Sequence, residues 1–341
     1  MQKKIITFLK YGVFTIAGIL LVWWQLSSMT PEETAEFRLA IKSANYYLLI
    51  PVFIMAILSH LSRSLRWKLV MEPLGFKPAT QTVFASVMLG YLINSFIPRL
   101  GEIVKCTVLS KKEKLEVDKV LGTVIIERIF DMFCYILFIL FSVLIQIDLV
   151  GGYFKKALNS FTYSGNITRG IQAISGLFLL ILMIIIFLVR KYPQHTVIVK
   201  VRHFLKGMLT GFISIKKLKH RKLFIFHTIF IWAMYLLQIY IGFQVIEGTA
   251  PLGIKAACAI LSLATLSMIA TPGGLGSFPV FVMQTLLIYH VSAPTGKAFG
   301  WLMWGVTTSI ILIVGVMSMI YLFYKNKNKD EANTSDTKQD I

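Results

Sequence analysis

The sequence predicts an all-α polytopic membrane protein, with about six full spans and two re-entrant helical hairpins arranged as an inverted repeat. Three observations lead there. The 341 residues are 56% apolar with a mean hydropathy of +0.71, and several apolar runs approach or exceed the ~20 residues that cross a bilayer. Two runs are interrupted by proline and glycine, at Asn94-Ser95-Phe96-Ile97-Pro98-Arg99-Leu100-Gly101-Glu102 and at Thr271-Pro272-Gly273-Gly274-Leu275-Gly276. The Lys and Arg residues gather at particular run ends, in line with the bias that keeps them on the cytoplasmic side.

Span 1, Ile5 to Leu26, follows Lys3 and Lys4. It is longer than the apolar part of a secretory leader, and no small-x-small cleavage site follows it, so a retained span is expected. Ser27 to Ser43, with Glu32, Glu33 and Glu36, reads as an external loop. Span 2, Ala44 to about Leu65, ends in Arg63-Ser64-Leu65-Arg66-Trp67-Lys68. There Arg63, Arg66 and Trp67 suit snorkelling and contact with lipid headgroups. Ala79 to Ile97 has span length, but both of its flanks are basic, which favours a hairpin dipping in from the cytoplasm and turning at Pro98.

Span 3, Leu121 to Ile147, carries Glu127, Arg128 and Asp131 in its first turns. Asp148 to Gly170 reads as external, and span 4, Ile171 to Val189, returns. Arg190 to Lys222 holds ten Lys or Arg and no acid; Val197, Val201, Phe204, Met208, Phe212 and Ile215 recur at helical spacing, which predicts an amphipathic helix on the inner leaflet. Span 5, Leu223 to Ile246, leaves again. Ile254 to Ala270 and Pro279 to Val291 then form a hairpin dipping in from outside, hinged at Thr271 to Gly276. Span 6, Ala298 to Tyr324, precedes a polar tail. One integral membrane domain is therefore expected over residues 1–324, with halves of about 1–147 and 171–324. Residues 325–341 are expected as a disordered cytoplasmic tail.

Composition narrows the chemistry. A net charge of +19 is explained by topology rather than by nucleic acid. Cys106, Cys134 and Cys258 have no paired spacing, and the six histidines contain no i, i+4 pair, so no metal site and no cofactor is expected. No stretch between the spans has the length and alternation of a water-soluble catalytic module.

Candidate site residues lie at the two breaks and on span 3. A helix restarting after Pro98 or Pro272 offers N–H groups and a positive dipole end, which suit an anionic headgroup. Arg99 adds a planar fork for phosphate oxygens. Glu102 either pairs with Arg99 or Arg128, or binds a cationic group or a proton. Lys105, one turn on, is a second cation. Glu127, Arg128 and Asp131 are costly inside a span and so are candidates for function, although mutual neutralisation with Arg99 and Glu102 would serve equally to lock span 3 to the hairpin. Asn94 and Ser95 are placed to cap the first break. Pro98, Gly101, Thr271, Pro272, Gly273, Gly274 and Gly276 are the hinge residues, acting through the backbone.

The ordered motifs Arg63-x-x-Arg66-Trp67, Asn94-x-x-x-Pro98-Arg99-Leu100-Gly101-Glu102, Glu127-Arg128-x-x-Asp131 and Thr271 to Gly276 resemble the flippase-like family named after the transmembrane region of lysylphosphatidylglycerol synthase. The resemblance covers most of the chain, from about Ala44 to span 6. It implies an integral membrane protein in which two hairpins move a phospholipid or lipid-linked headgroup between leaflets, here in the cell's inner (plasma) membrane with both termini cytoplasmic. It does not imply synthase activity, which in bifunctional members resides in a soluble aminoacyl-transferase domain. Many relatives place a glutamate shortly after the second glycine motif, where this chain has Ser277-Phe278-Pro279; an aminoacylated lipid is therefore not assumed as substrate. Two rival functions stay open on the sequence: a membrane-embedded enzyme acting on lipid phosphates or lipid-linked sugars, and a non-transporting partner of an envelope-synthesis enzyme.

Overall fold

The computed structural model describes residues 16, 18–25, 27–146 and 218–339. Span 4, the loop before it and the amphipathic segment of residues 197–215 lie outside the described residues, as does most of span 1. The chain falls into two compact units, residues 1–127 with 217–341, and residues 128–216. Helices α1 (Pro31–Lys42), α2 (Leu49–Met71), α3 (Thr80–Phe96), α4 (Leu100–Glu113), α6 (Arg221–Phe243), α7 (Ile254–Ala270), α8 (Ser277–Ile288) and α9 (Ala293–Gln339) belong to the first unit. Helix α5 (Val117–Leu144) begins in the first and continues into the second.

Among the described residues every regular element is helical, and α2, α6 and the Ala293–Tyr324 part of α9 are each long and apolar enough to cross a membrane. These correspond to spans 2, 5 and 6. The protein is an all-α, multi-pass membrane protein. The segment expected as an external loop contains α1, a helix not anticipated from the sequence: Thr30 Oγ1 accepts from the Glu33 N–H at 3.2 Å, the Glu33 carboxylate accepts from the Thr30 N–H at 3.0 Å, and Pro31 occupies the first turn. Glu36 accepts from the Ser292 and Thr295 hydroxyls and so ties α1 to the start of α9.

Two hairpins dominate the first unit. In the first, α3 and α4 fold back on one another, and their open ends meet where the Ala79 N–H donates to Glu113 at 3.3 Å. Close approach is set by two glycines: a Cβ on Gly101 would run into the carbonyl oxygen of Gly90, and one on Gly90 would lie 3.0 Å from the carbonyl oxygen of Gly101. In the second, α7 and α8 fold back likewise, with the Tyr289 hydroxyl at 3.5 Å from the Lys255 carbonyl at the open end.

Helix α9 fixes how the hairpins relate. Along its length a Cβ built on Gly296 would lie 3.3 Å from Met283 Cα, one built on Gly300 would lie 2.8 Å from Pro279 Cα, and the Trp304 indole donates to the Gly273 carbonyl at 2.9 Å. Further on, a Cβ built on Gly315 would lie 2.8 Å from Leu92 Cβ, and the Leu322 carbonyl accepts from Lys112 at the far end of α4. The hairpins therefore lie along one rod from its opposite ends, with their tips meeting near Trp304. A Cβ built on Gly273 would lie 3.8 Å from Ser95 Cα, which places the two breaks in contact.

Three boundaries differ from expectation. Helix α2 runs on to Met71 and stops at a 3-10 turn closed by Gly75 in the left-handed region (φ 79°), so Arg63, Arg66 and Trp67 sit inside the helix, not at its end. Helix α8 begins at Ser277, because Pro279 is tolerated in a first turn whose N–H groups have no helical partner. Helix α9 continues through the polar tail to Gln339, since propagating an existing helix is far easier than nucleating one.

Gly101→Ala is expected to force α3 and α4 apart at a cost of about 1–3 kcal/mol, as overpacked sites do. A melting curve in detergent should show a clear fall in Tm. Gly122→Ala, where nothing lies within 4 Å, should leave it unchanged or slightly raised.

Candidate functional site

The first break begins where Ile97 turns extended (φ −129°, ψ 99°) and Arg99 enters the left-handed region (φ 70°, ψ −15°). Pro98 cannot continue α3, and the reversal at Arg99 sends the chain back as α4. Asn94 accepts from the Gly101 N–H at 2.8 Å, so one of the donors at the restarted helix is already used by the protein. Arg99 itself is exposed.

The second break satisfies its carbonyls with side chains from three elements. The Gly273 carbonyl takes the Trp304 indole N–H; the Gly276 carbonyl takes Gln25 Nε2 at 2.8 Å; the Leu275 carbonyl accepts from Thr271 Oγ1 at 2.8 Å. Ser277 donates to the Ser267 carbonyl at 2.9 Å and lies 2.7 Å from Thr271 Oγ1. Gly273, Gly274 and Gly276 all have positive φ (60°, 71° and 71°), the conformation that glycine adopts without penalty. Gln25, Ser267, Ser277 and Trp304 were not singled out from the sequence. A glutamine near the end of an apolar run was the available signal for the first of these; hydroxyls and an indole in apolar helices carry none.

The charges converge elsewhere than expected. Arg66 and Trp67 are fully buried and take no part in an interfacial belt, since α2 turns them into the protein. Arg66 meets Glu127 at 3.1 Å, donates to Thr228 at 3.3 Å and lies over the Phe224 ring at 5.5 Å. Arg63, with 12% of its side chain exposed, reaches Glu127 at 3.9 Å and Tyr235 at 3.3 Å. The Trp67 indole donates to Thr123 at 2.9 Å, and its ring carries the Lys105 ammonium at 4.7 Å. Lys105 then bridges to Glu127 at 3.9 Å and to Glu102 at 3.1 Å.

Lys105, not Arg99, therefore ties the first hairpin to the carboxylate of α5. Glu102 pairs with Lys105, which lies one turn along the same helix face, whereas Arg99 turns outward at the hairpin tip. Glu127 closes the first compact unit; Arg128 and Asp131 belong to the next. Trp67, Met71, Val83, Val87, Cys106, Leu109, Val120 and Val124 pack into a single apolar cluster that includes the Trp67 face of the charge group. In such surroundings each charge depends on its partners.

A family model described as the lysylphosphatidylglycerol synthase TM region matches residues 8–315. The chain belongs to this family. The UPF0104 membrane protein MJ1595 of Methanocaldococcus jannaschii is 32% identical over 97 residues, covering 28% of this chain and 29% of that protein. The chain thus matches less than a third of that relative's length. No solved structure matches it. The lysylphosphatidylglycerol synthase TM-region family is membrane-associated and related to lipid handling, and within the first unit of this member Arg63, Arg66, Lys105 and Glu127 form one buried charge cluster while the two glycine-proline breaks form the hairpin tips.

Glu127→Gln removes the anion on which buried Arg66 depends, and breaking a buried pair from one side costs about 3–5 kcal/mol. Size-exclusion and melting measurements should show a large loss of folded protein. Arg99→Ala, at an exposed position, should leave Tm within experimental scatter of the parent. An equal fall in both variants would contradict the assignment of Glu127 as the anchor.

Proposed function

We propose that the protein translocates the headgroup of a phospholipid or lipid-linked molecule between leaflets, at the junction of the two hairpin tips. The observation that carries this is the meeting of two interrupted helices, approaching from opposite ends of α9, at Ser95 and Gly273. An interrupted helix at membrane depth is tolerated only where protein covers it or where it borders a wet cavity. Transporters recurrently hold substrate where two such breaks meet, between repeats of opposite topology. On this reading α3–α4 and α7–α8 are re-entrant, entering from the cytoplasmic and external faces of the plasma membrane respectively, and the halves of the chain are inverted repeats.

The two tips divide the work. The first supplies charge: Arg99 lies exposed at the tip, and Glu102 and Lys105 follow on α4. The second is uncharged and supplies a glycine-rich backbone. An anionic headgroup suits this arrangement, with Arg99 as the first guanidinium that a phosphate meets. Arg66, Lys105 and Glu127 form the framework that holds the first tip in place.

The test is a leaflet assay in proteoliposomes, using fluorescent anionic, zwitterionic and polyprenyl-phosphate lipids and a membrane-impermeant quencher. The parent protein should move at least one anionic headgroup. Arg99→Ala should slow that movement roughly tenfold or more, the effect of losing a charged hydrogen bond worth ~1.5–3 kcal/mol. Absence of movement for every lipid, or equal rates in parent and variant, would contradict the proposal. Chemical change of the lipid during the assay would favour an enzyme instead.

A further inference from the structure

The second break contains more oxygen acceptors than protons to share among them. Thr271 Oγ1 lies 2.8 Å from the Leu275 carbonyl and 2.7 Å from Ser277 Oγ, and Ser277 Oγ lies 2.9 Å from the Ser267 carbonyl. Three oxygen–oxygen contacts at hydrogen-bond distance are thus served by two hydroxyl protons. Whichever way the hydroxyls rotate, one contact has no proton in it.

Gln25 adds a further acceptor beside the same loop. Its Nε2 donates to the Leu21 carbonyl at 3.1 Å and to the Gly276 carbonyl at 2.8 Å. Both acceptors are carbonyl oxygens, so the amide cannot be flipped without placing oxygen against oxygen. Its Oε1 is then fixed, buried and without a hydrogen-bond partner among the described residues, in a residue that is 2% exposed. An unpartnered buried amide oxygen costs roughly what a lost hydrogen bond does, so retaining one calls for an occupant. Thr271, Ser277 and Ser267 are also buried, at 5%, 3% and 0% exposed.

We propose that Gln25 Oε1, the hydroxyl oxygens of Thr271 and Ser277, and the carbonyls of Ser267 and Leu275 form a binding site for a hard monovalent cation of the sodium class. All candidate ligands are oxygens, which favours a hard cation over a transition metal. None is a carboxylate, and among the described residues no group of three or more His, Cys, Asp or Glu could hold a metal. A neutral shell in a low-dielectric setting favours the smallest cation charge. Unwound backbone carbonyls at a broken helix are a recurrent way of holding such an ion. Bound there, the ion would join α7, α8 and the helix carrying Gln25, and so stiffen the second tip where it meets Ser95.

The test is the melting temperature of the purified full chain, followed by tryptophan fluorescence, in NaCl, KCl or choline chloride at equal ionic strength. NaCl should raise Tm saturably, by a few degrees, relative to choline chloride. Gln25→Glu, which puts an anionic oxygen in place of a neutral one, should lower the NaCl midpoint by about tenfold or more. Ser277→Ala should abolish the response. An equal rise with KCl supports an alkali-cation site without selectivity. Equal Tm in NaCl and choline chloride, or a sodium response unchanged in both variants, overturns the site. Should Ser277→Ala fail to fold, Gln25→Glu decides alone, and an unshifted midpoint counts against the proposal.

Discussion

An interrupted helix must find partners for the backbone groups it frees wherever water is excluded, and the contacts at both breaks answer that demand. The cost of leaving such groups bare is several kcal/mol each. At the first break, an asparagine one turn back caps the returning helix, and a pair of glycines lets α3 and α4 touch backbone to backbone. At the second, the freed carbonyls are met by Gln25, Thr271 and Trp304. The two solutions differ because the first break is a tight reversal, whereas the second is a glycine loop with more open carbonyls.

The buried charges serve the same end at longer range. Glu127 on α5 gathers Arg63 and Arg66 from α2 and Lys105 from α4, while Arg66 reaches Thr228 on α6. Desolvating these groups is expensive, and their value lies in specificity: only one relative placement of four helices pairs them all. That placement in turn sets where the first tip sits along α9, and therefore whether it can meet the second. Removing a member of the charge cluster and widening the Gly90–Gly101 contact are two routes to the same failure.

Much of this architecture was legible in the sequence because proline, glycine and charge are strong local signals. Pro98, Gly101 and the run from Thr271 to Gly276 marked both hinges, and the limits of α3 and α7 follow the apolar runs closely. The sequence places both Asn94 and Ser95 to cap the first break; Asn94 does so, whereas Ser95 donates back to the Tyr91 carbonyl of its own helix. What the sequence did not disclose is orientation. Helix α2 continues about six residues beyond the expected end near Leu65, to Met71, and Arg66 and Trp67 lie on the face that packs into the protein rather than toward lipid. The sequence points to Arg99 as the residue that joins Glu102 and the span 3 charges, with Lys105 only a second cation; Lys105 takes that place because the left-handed turn at Arg99, which chain composition does not specify, leaves Arg99 exposed at the tip. Hydroxyl, amide and indole partners such as Ser277, Gln25 and Trp304 are single polar groups in apolar helices, with no periodicity to reveal them.

Contact between the two tips is the feature on which the rest depends, and a cysteine cross-link between them reports it. Cβ positions at Ser95 and Gly273 would be 3.9 Å apart, within the range that a disulfide spans. In a chain whose three native cysteines are replaced, Ser95→Cys with Gly273→Cys should therefore cross-link under mild oxidation in native membranes, detected as an oxidant-dependent, reductant-reversible shift on a gel after proteolysis between the two positions. Failure to cross-link in folded protein, while Ser95→Cys pairs readily with a cysteine placed far from the second break, would contradict the account.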